Sequence, residues 1–368
     1  MKTDKVLIVY DWLNQKDGGG EAALYEVLKI YPEADVSVLI FNKAKFKNQL
    51  AGHKVRTSYL QYFPDSMKRR PHLLLPWVQS AVNSLNTAGY DQVIAVSSAW
   101  VKNIPLQPDQ KCLVYCFSPA RMLWDSWPTA MTSRTNNRLI QLYITRLTSR
   151  LRLWDYYTSQ EKQRQFVAIS QMIQKRIAKF YHRSSKLIYP PVIQPPVIVS
   201  QKQPYWVIVS VLAPYKQIDQ AIRICIKRNE RLVIVGSGPD LQRLEEVAQG
   251  NSKIQFVGRV SQKDKWRWLS DAQGFLFCSI EDFGIAPIES LGCGTPVVAL
   301  NRGGLAETIR HLKTGVLYDE PTDDDLARAM ELCLQTSWSE IELRKSAKRF
   351  RPEVFQTKFK DIAGPDRQ

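Results

Sequence analysis

Short runs of consecutive apolar, often β-branched residues recur along the chain, and longer stretches with helical spacing lie between them. Uninterrupted apolar runs of this length are typical of strands that are buried on both faces. The predicted strands are KVLIVYDW, DVSVLIF, DQVIAVSS, KCLVYCFS, QFVAIS, YWVIVSVL, RLVIVGSG, IQFVG, GFLFCS and TPVVAL. Strands that alternate with helices predict an α/β protein with parallel sheets covered by helices.

A proline-rich segment interrupts this alternation. Residues 188–204, IYPPVIQPPVIVSQKQP, hold five prolines, and the strand and helix pattern restarts directly after them. A long surface loop within one domain is the alternative, but 368 residues suit two domains. We therefore predict a doubly wound N-terminal domain (1–190), a linker (191–204), a doubly wound C-terminal domain (205–348) and a last helix (349–368) that returns to the N-terminal domain. A ligand is expected in the cleft between them, at the carboxyl ends of the strands.

Charge and cysteine content narrow the class of protein. The chain has 51 Lys and Arg against 35 Asp and Glu, a net charge of +16, which favours phosphates, nucleic acid or anionic lipid as partners. Its six cysteines form no CxxC pair and it has only four histidines, so we expect buried thiols and no metal site. No apolar run approaches the roughly 20 residues of a membrane span, and we expect a cytoplasmic protein without a signal peptide.

Three loops that follow predicted strands contain glycine or lysine. Gly19 and Gly20 open the first helix, and Gly236 follows the strand RLVIV. Glycines allow tight turns and close approach of backbone amides to a ligand, although such loops are often only turns. Neither matches GxGxxG, and the chain has no GxxxxGK[ST] loop. Lys216 lies in the loop after YWVIVSVL, where its charge suits an anion; the alternative is a solvated surface lysine.

The stretch SIEDFGIAPIESLGCG places two glutamates around the start of a helix. Glu281 lies in the loop after the strand GFLFCS, and Glu289 lies about one turn inside the helix. The amides of Phe283, Gly284 and Ile285 and the helix N-terminus suit a phosphate. The two carboxylates suit sugar hydroxyls on either side of it. The alternative is one acidic residue that favours the helix dipole and one exposed glutamate.

At these residues the sequence resembles the family-four glycosyltransferases of the two-domain GT-B fold. Glu, seven residues and Glu is the mark of that family, and EDFGIAPIE fits it. The similarity runs from about residue 6 to 360. Other stretches that resemble the family are DGGGEAALYEVL, YCFSPARMLWDSW, FVAISQMIQKRIAKFY, IYPPV, APYKQID, VGSGPDLQRL and GTPVVALNRGGLAETI. The N-terminal half is most similar to mannosyltransferases of bacterial O-antigen and exopolysaccharide assembly.

The resemblance implies a retaining, metal-independent transfer of a hexose-type, mannose-like sugar from a GDP- or UDP-linked donor, with no cofactor. It implies that Lys216 neutralises the diphosphate, Glu289 holds the ribose and Glu281 contacts the transferred sugar. The amides at 283–285 would contact the sugar and phosphates, and those of Gly19 and Gly20 would complete the diphosphate site. The acidic run 323–325 is expected to form the N-cap of the following helix and not a metal site.

Two residues depart from the family pattern. Val211 stands where arginine is common, within SVL, and Phe117 stands where histidine is common, within FSP. Arg121 would compensate if its side chain reached the donor; otherwise it pairs with Asp125 or lies on the surface. The alternative function is therefore a non-catalytic GT-B protein that binds a sugar nucleotide or supports an active subunit.

Basic residues cluster beside apolar ones in the N-terminal half. Residues 131–183 hold 11 Lys and Arg against two acidic residues. Lys68, Arg69 and Arg70 precede LLLPWVQSAV, and a long helical stretch contains Arg138, Arg146, Arg150 and Arg152 among Leu139, Ile140, Leu142, Leu147 and Leu151. This pattern suits the surface of an anionic membrane, where a lipid-linked or polysaccharide acceptor would be met. Helices packed on the sheet with solvated basic faces are the alternative. Without a recognition motif or stacking aromatic residues, nucleic acid is not expected as a partner.

Overall fold

The computed structural model describes residues 5–14, 18–125, 137–196 and 201–364. By its internal contacts the chain divides into two compact units. Unit 1 comprises Met1–Pro190 and Phe355–Gln368, and unit 2 comprises Pro191–Val354. Five predicted stretches extend outside the described residues: the motif DGGGEAALYEVL at 17, the motif YCFSPARMLWDSW at 126–127, the basic segment at 131–136, the linker at 197–200 and the last helix at 365–368. Within the linker, residues 191–196 form neither helix nor strand.

Unit 1 contains a parallel sheet with helices between its strands. The strands are β1 (Val6–Leu13), β2 (Asp35–Phe41), β3 (Val55–Thr57), β4 (Gln92–Ser97), β5 (Lys111–Cys116), β6 (Arg164–Ala168) and β7 (Ser185–Leu187). The helices are α1 (Gly19–Ile30), α2 (Lys43–Phe46), α3 (Asp65–Lys68), α4 (Leu75–Asn83), α5 (Arg121–Trp124), α6 (Arg138–Ser159) and α7 (Gln171–Tyr181). Short 3₁₀ helices cover Tyr59–Tyr62, Pro71–Leu74 and Val101–Asn103.

Unit 2 repeats this plan. Its strands are β8 (Gln203–Val209), β9 (Arg231–Val235), β10 (Ile254–Gly258), β11 (Ala272–Phe277), β12 (Val297–Leu300) and β13 (Gly315–Tyr318). Its helices are α8 (Ile218–Lys227), α9 (Leu241–Ala248), α10 (Gln262–Asp271), α11 (Ile285–Gly292), α12 (Leu305–Thr308), α13 (Asp323–Gln335) and α14 (Glu340–Ala347), with 3₁₀ helices at Pro214–Lys216 and Lys348–Phe350. The last helix, α15 (Pro352–Ala363), begins in unit 2 and continues in unit 1.

The strand orders confirm the predicted fold class of two doubly wound α/β units. They are β3-β2-β1-β4-β5-β6-β7 and β10-β9-β8-β11-β12-β13. All strand pairs within both sheets are parallel, so each sheet gathers the carboxyl ends of its strands at one edge. The first strand of each unit, β1 or β8, lies inside its sheet, with the order reversing around it. Loops at such a reversal leave a crevice outside the carboxyl ends of the strands, which is the usual place for a ligand.

Apolar residues from strands and helices fill the core of unit 2. Trp206 and Leu276 on the strands pack with Ile222 on α8 and Met330 on α13 in one buried cluster. All six cysteines are buried and unbridged, as expected, and burial raises the pKa of the Cys278 thiol to about 12. Among the helices within the described ranges, none has both the length and the apolar character to cross a membrane.

Candidate functional site

Lys216 and Glu281 meet at the carboxyl edge of the sheet in unit 2. Lys216 ends the 3₁₀ helix that follows β8, and Glu281 lies in the loop after β11, the strand next to β8. The Lys216 ammonium forms an ion pair with Oε1 of Glu281 and lies 5.9 Å from the centre of the Phe277 ring. Their side chains are 14% and 24% exposed. Because the pair stays within reach of solvent, a charged or hydroxylated ligand can compete for either partner.

Two glycines hold the loop that carries Glu281. The amide of Gly304 donates a 2.8 Å hydrogen bond to the carbonyl oxygen of Glu281. A Cβ atom on Gly303 would lie 2.5 Å from that same oxygen, and one on Gly304 would lie 2.5 Å from Cα of Phe283. Only glycine permits this approach, so the NRGG sequence after β12 fixes the position of the Glu281 backbone. The NRGG stretch was recognised only as part of a family-like segment, and its role in holding this loop was not predicted.

Helix α11 points its N-terminus at the same loop. Its N-cap residue Gly284 has φ of 89°, in the left-handed region, and no side chain caps the first amide groups. Phe283 is buried and meets the Phe350 ring edge to face at 5.4 Å. This packing anchors the loop, while Ile285 begins the helix. The uncapped amides and the helix dipole make this end of α11 suitable for an anion.

Glu289, one turn into α11, is also paired. Its Oε1 atom lies 2.6 Å from the ammonium nitrogen of Lys265 on the neighbouring helix α10. Glu289 is buried rather than exposed, so the alternative of an exposed glutamate is wrong. Sequence analysis missed Lys265, because it lies among other charged residues in SQKDKWRW.

The loops after β8 and β9 touch through glycines. Gly236 has φ of 141°, and a Cβ atom there would lie 1.8 Å from the carbonyl oxygen of Ser210. Gly238 approaches the Leu212 carbonyl in the same way, at 2.0 Å. Val211, between these two contacts, is 57% exposed. Gly236 thus has a packing role that fixes the loop leading to Lys216.

The predicted residues of unit 1 lie at the carboxyl ends of β1 and β5. Gly19 and Gly20 are the first two residues of α1, and a Cβ atom on Gly20 would lie 2.5 Å from the Tyr10 hydroxyl and 3.8 Å from the Phe117 ring. Burial, and next the carboxylate of Glu21, raises the pKa of the Tyr10 hydroxyl well above its usual value. The structure therefore brings Gly20 and Phe117 together beside a tyrosine that sequence analysis missed.

Arg121 is the first residue of α5 and is exposed. Asp125 forms an ion pair with Arg176, and the two charged groups lie 2.8 Å apart.

Two carboxylates of unit 1, which sequence analysis also missed, are fully buried. Asp11, fully buried on β1, accepts hydrogen bonds of 2.6 to 2.9 Å from four consecutive backbone amides, residues 98–101, after β4. Asp155 on α6 pairs with the buried ammonium of Lys102 at 2.9 Å and accepts hydrogen bonds from Trp124 and Tyr181, each at 2.7 Å. Both carboxylates are satisfied by the protein itself. An aspartate inside the apolar run VLIVYDWL was the available signal for the first.

The acidic run at the start of α13 differs from its predicted role. Thr322 is the N-cap, and its hydroxyl accepts from the amide of Asp325 at 3.1 Å. Asp323 lies in the first turn and forms an ion pair with Arg223. The prediction of an aspartate N-cap is wrong because the threonine precedes the run and its hydroxyl reaches the same amide. Across the described ranges, no group of three or more His, Cys, Asp and Glu side chains is placed to hold a metal ion.

Comparison with known proteins identifies a matching family model and relatives that cover part of the chain. Residues 193–352 match the family model of glycosyl transferases group 1. The GDP-mannose-dependent alpha-(1-6)-phosphatidylinositol monomannoside mannosyltransferase of Mycobacterium tuberculosis is 30% identical over 145 residues, 35% of this chain and 38% of that enzyme. The D-inositol 3-phosphate glycosyltransferase of Pseudarthrobacter chlorophenolicus is 31% identical over 123 residues, 32% of this chain and 29% of that one. The chain thus matches well under half the length of these relatives.

A solved structure extends the likeness to both halves. Anabaena HepE in complex with UDP superposes with a TM-score of 0.69 over 97% of this chain and 99% of that chain, at 16% sequence identity. At this identity the likeness establishes the fold alone. The fold is the two-domain α/β GT-B fold that the sequence predicts.

Proposed function

We propose that this chain transfers a hexose-type sugar from a nucleotide sugar to a lipid-linked or polysaccharide acceptor, on the premise that residues 193–352 match the family model of the glycosyl transferases group 1. One observation carries the proposal. In unit 2 Glu281, paired with Lys216, precedes the N-terminus of α11, and Glu289, paired with Lys265, lies one turn inside the helix. A cation, the backbone amides at a helix N-terminus and two carboxylates are the groups needed for a diphosphate and for the sugars at its two ends.

We propose the following roles for these residues. The diphosphate of the donor lies at the amides of residues 283–285 and replaces Glu281 as the ion-pair partner of Lys216. Glu281 can then accept hydrogen bonds from the transferred sugar. Glu289 accepts from the ribose hydroxyls. When the bond to the sugar breaks, negative charge develops on the leaving diphosphate, and Lys216 and the helix N-terminus stabilise it without rearrangement.

The leaving phosphate is proposed to accept the proton of the attacking hydroxyl on the same face of the sugar, which retains the anomeric configuration. The amides of Gly19 and Gly20 are the proposed contribution of unit 1 to the diphosphate. This scheme uses no metal ion, because Lys216 and the amides supply the positive charge.

The proposed donor is GDP-linked or UDP-linked, and mannose is the proposed sugar. The mycobacterial relative is named as GDP-mannose-dependent, whereas HepE was solved with UDP, which supports testing both bases. Phe117 and the exposed Val211 present apolar surface where family members commonly carry histidine and arginine. A donor that offers less polarity near Phe117 would suit the first replacement, and the second removes a charge partner of the diphosphate.

Nucleotide release from GDP-mannose and UDP-glucose tests the proposal. We expect slow release by the wild type without acceptor, and a loss of at least roughly 100-fold in Lys216→Met and Glu281→Gln, the usual order for removing one electrostatic contact to a transition state. Lys313→Met, which removes an exposed lysine of the same unit, is the matched control and should keep wild-type rates. Equal rates in all four proteins would contradict the proposed roles.

The alternative, a non-catalytic GT-B protein, is favoured by Val211 and Phe117. It predicts that a donor raises the melting temperature of the protein, as any ligand of the native state does, without release of nucleotide even when an acceptor is present. Turnover that Lys216→Met abolishes would exclude it.

We further propose that unit 1 contacts an anionic membrane through the first half of α6, on the cytoplasmic face. The earliest buried residue of this helix is Thr148, so its first ten residues expose apolar side chains such as Leu139, which is 77% exposed. Arg146 and Arg150 are exposed beside them. Mixed basic and apolar surface favours anionic lipid.

Some of the predicted basic residues do not belong to this surface. Arg152 donates to the Leu123 carbonyl at 2.7 Å, and Lys68 pairs with Asp65 at 2.8 Å.

Vesicle sedimentation at low salt tests the contact. We expect the wild type to bind phosphatidylglycerol vesicles and not phosphatidylcholine vesicles, and Leu139→Asp to weaken binding. Leu334→Asp, at an exposed leucine of unit 2, is the control. A wild type that ignores anionic vesicles would remove the membrane from the proposal.

A further inference from the structure

Lys265 occupies an unusual place on helix α10. Its neighbours Lys263, Asp264 and Arg267 are exposed, whereas the Lys265 side chain is only 18% exposed. Lys265 lies four residues before Leu269, which is fully buried, so both residues belong to the inward stripe of the helix. A lysine in a stripe that otherwise faces the core needs a partner for its charge.

Glu289 is that partner, and it lies deeper than the lysine. Its side chain is 9% exposed, and its Oε1 atom is 2.6 Å from the Lys265 ammonium nitrogen. A carboxylate at this depth is stable as an anion only when a cation or several donors face it. The contact also restricts rotation of the carboxyl group, because one of its two oxygens is held from the side of α10.

We propose that Lys265 is the positioning residue of Glu289 and sets its carboxylate to accept hydrogen bonds from the vicinal diol of the donor's ribose. This inference rests on the proposed function, in which Glu289 holds the ribose. With Oε1 held by Lys265, Oε2 and the remaining lone pair of Oε1 stay available, and two acceptor sites match two neighbouring hydroxyls. Lys265 therefore acts on ligand selection through Glu289 and not by direct contact.

A purely structural role for Lys265 makes a different prediction. If the lysine only neutralised a buried charge, its loss would lower stability and weaken every nucleotide to the same degree. A positioning role instead changes the ratio of two affinities, for a nucleoside diphosphate with the diol and for the same molecule without it. That ratio is insensitive to a uniform loss of folded protein.

Calorimetric titration with GDP and 2′,3′-dideoxy-GDP measures this ratio, with UDP and its dideoxy form used if the wild type binds UDP more tightly. The wild type should prefer the diol by about ten-fold or more, the usual value of hydrogen bonds to a charged acceptor. Lys265→Met should reduce the preference to about two-fold, and Lys265→Arg should restore most of it. Lys263→Met, which removes an exposed lysine two residues away, should keep the wild-type ratio.

A double-mutant cycle locates the effect. Glu289→Gln should lose the preference by itself, and Lys265→Met should then cause no further change, because the lysine acts through the carboxylate. If Lys265→Met does not fold, as judged by urea unfolding, Lys265→Gln replaces it, since glutamine keeps a donor without the charge.

Two different failures can be told apart. A Lys265→Met protein with the full wild-type preference overturns the positioning role and leaves the proposed function standing. A wild type that binds no nucleoside diphosphate overturns the proposed function itself. A wild type that binds both forms equally removes the ribose role of Glu289, and with it the role of Lys265.

Discussion

The two units solve the same structural problem in different ways. In each sheet the first strand lies beside a strand whose following loop must be held, β4 in unit 1 and β11 in unit 2. Unit 1 holds its loop with a side chain, since the Asp11 carboxylate binds the amides of residues 98–101. Unit 2 holds its loop with backbone contacts to Gly303 and Gly304.

This difference in how the two loops are held determines whether the nearby charged side chain can bind a ligand. Asp11 is fully buried and its oxygens are occupied by the protein, so it is structural. In unit 2 the glycines fix the backbone, and Lys216 and Glu281 need only hold each other in a partly exposed pair. Asp11 is used up by its loop, because its carboxylate itself binds the loop amides. Glu281 stays available to a ligand, because glycine contacts hold its loop instead.

The largest expected effect on stability comes from removing the carboxylate of Asp11, whose oxygens are fully hydrogen-bonded within the protein. Asp11→Ala should lower the free energy of unfolding by about 4 kcal/mol or more, because several buried amides lose their acceptor and each unsatisfied group costs roughly 1–3 kcal/mol. Urea unfolding followed by fluorescence measures it. Asp11→Asn keeps one acceptor oxygen, so its free energy of unfolding should lie between those of the wild type and Asp11→Ala. A loss below about 1 kcal/mol would break the comparison.

A methyl group at Gly236 tests whether a close backbone contact also holds the loop after β8 in unit 2. Gly236→Ala should cost about 2–3 kcal/mol, because its φ of 141° is strained for alanine and the added Cβ atom would overlap the Ser210 carbonyl. Gly250→Ala is the matched control. It has φ of 67° and open space around it, so only the backbone strain of about 1 kcal/mol applies. Equal losses would show that the close approach does not matter.

A buried lysine of unit 1 and a partly buried lysine of unit 2 sharpen the comparison through pH. Lys102 of unit 1 has a carboxylate partner, whereas Lys202 of unit 2 donates to the neutral oxygens of Ser270 and Thr295, at 2.7 and 2.6 Å. Burial lowers the pKa of Lys202 from 10.5 to about 8. Between these pH values the unfolded chain binds more protons than the folded one, so stability rises with pH.

The Lys202 effect is measurable as a difference between two proteins. From pH 8 to 10.5 the wild type should gain about 2 kcal/mol relative to Lys202→Met, after allowance for partial solvation. Melting temperatures or urea midpoints across this range measure the gain. A constant difference would show that Lys202 keeps an ordinary pKa.

The smallest expected effect belongs to the exchangeable pair. Glu281→Gln should change the free energy of unfolding by less than about 1 kcal/mol, because partly exposed ion pairs contribute little to stability. The same variant is expected to lose nucleotide release strongly. A large loss of stability would place Glu281 with Asp11 among the structural carboxylates.

Ten strands could be predicted because each contains an apolar run. The edge strands β3 and β7 were missed because they have only three residues, and the sequence SKL of β7 contains no β-branched residue. The edge strand β13, GVLY, was also missed. Burial on two faces leaves a pattern in the sequence, and a short edge position does not.

Some residues of the candidate site could also be predicted from the local sequence, and others could not. The positions of Glu281 and Glu289 around a helix start follow from local sequence, because Gly284 and Pro287 mark the helix. The partner Lys265 is 24 residues away, and only the packing of α10 on α11 brings it to Glu289. Its one local signal was its spacing of four residues from Leu269, which is weak by itself.

The last helix has a consequence for synthesis of the protein. Residues 355–363 of α15 belong to unit 1, and Phe355 and Phe359 pack their rings on Tyr115 at 5.5 and 6.0 Å. Unit 2 lies wholly between the two parts of unit 1 along the chain. On the ribosome, unit 2 is therefore complete before unit 1 can close its core, which reverses the usual order in which the domain nearest the N-terminus finishes folding first.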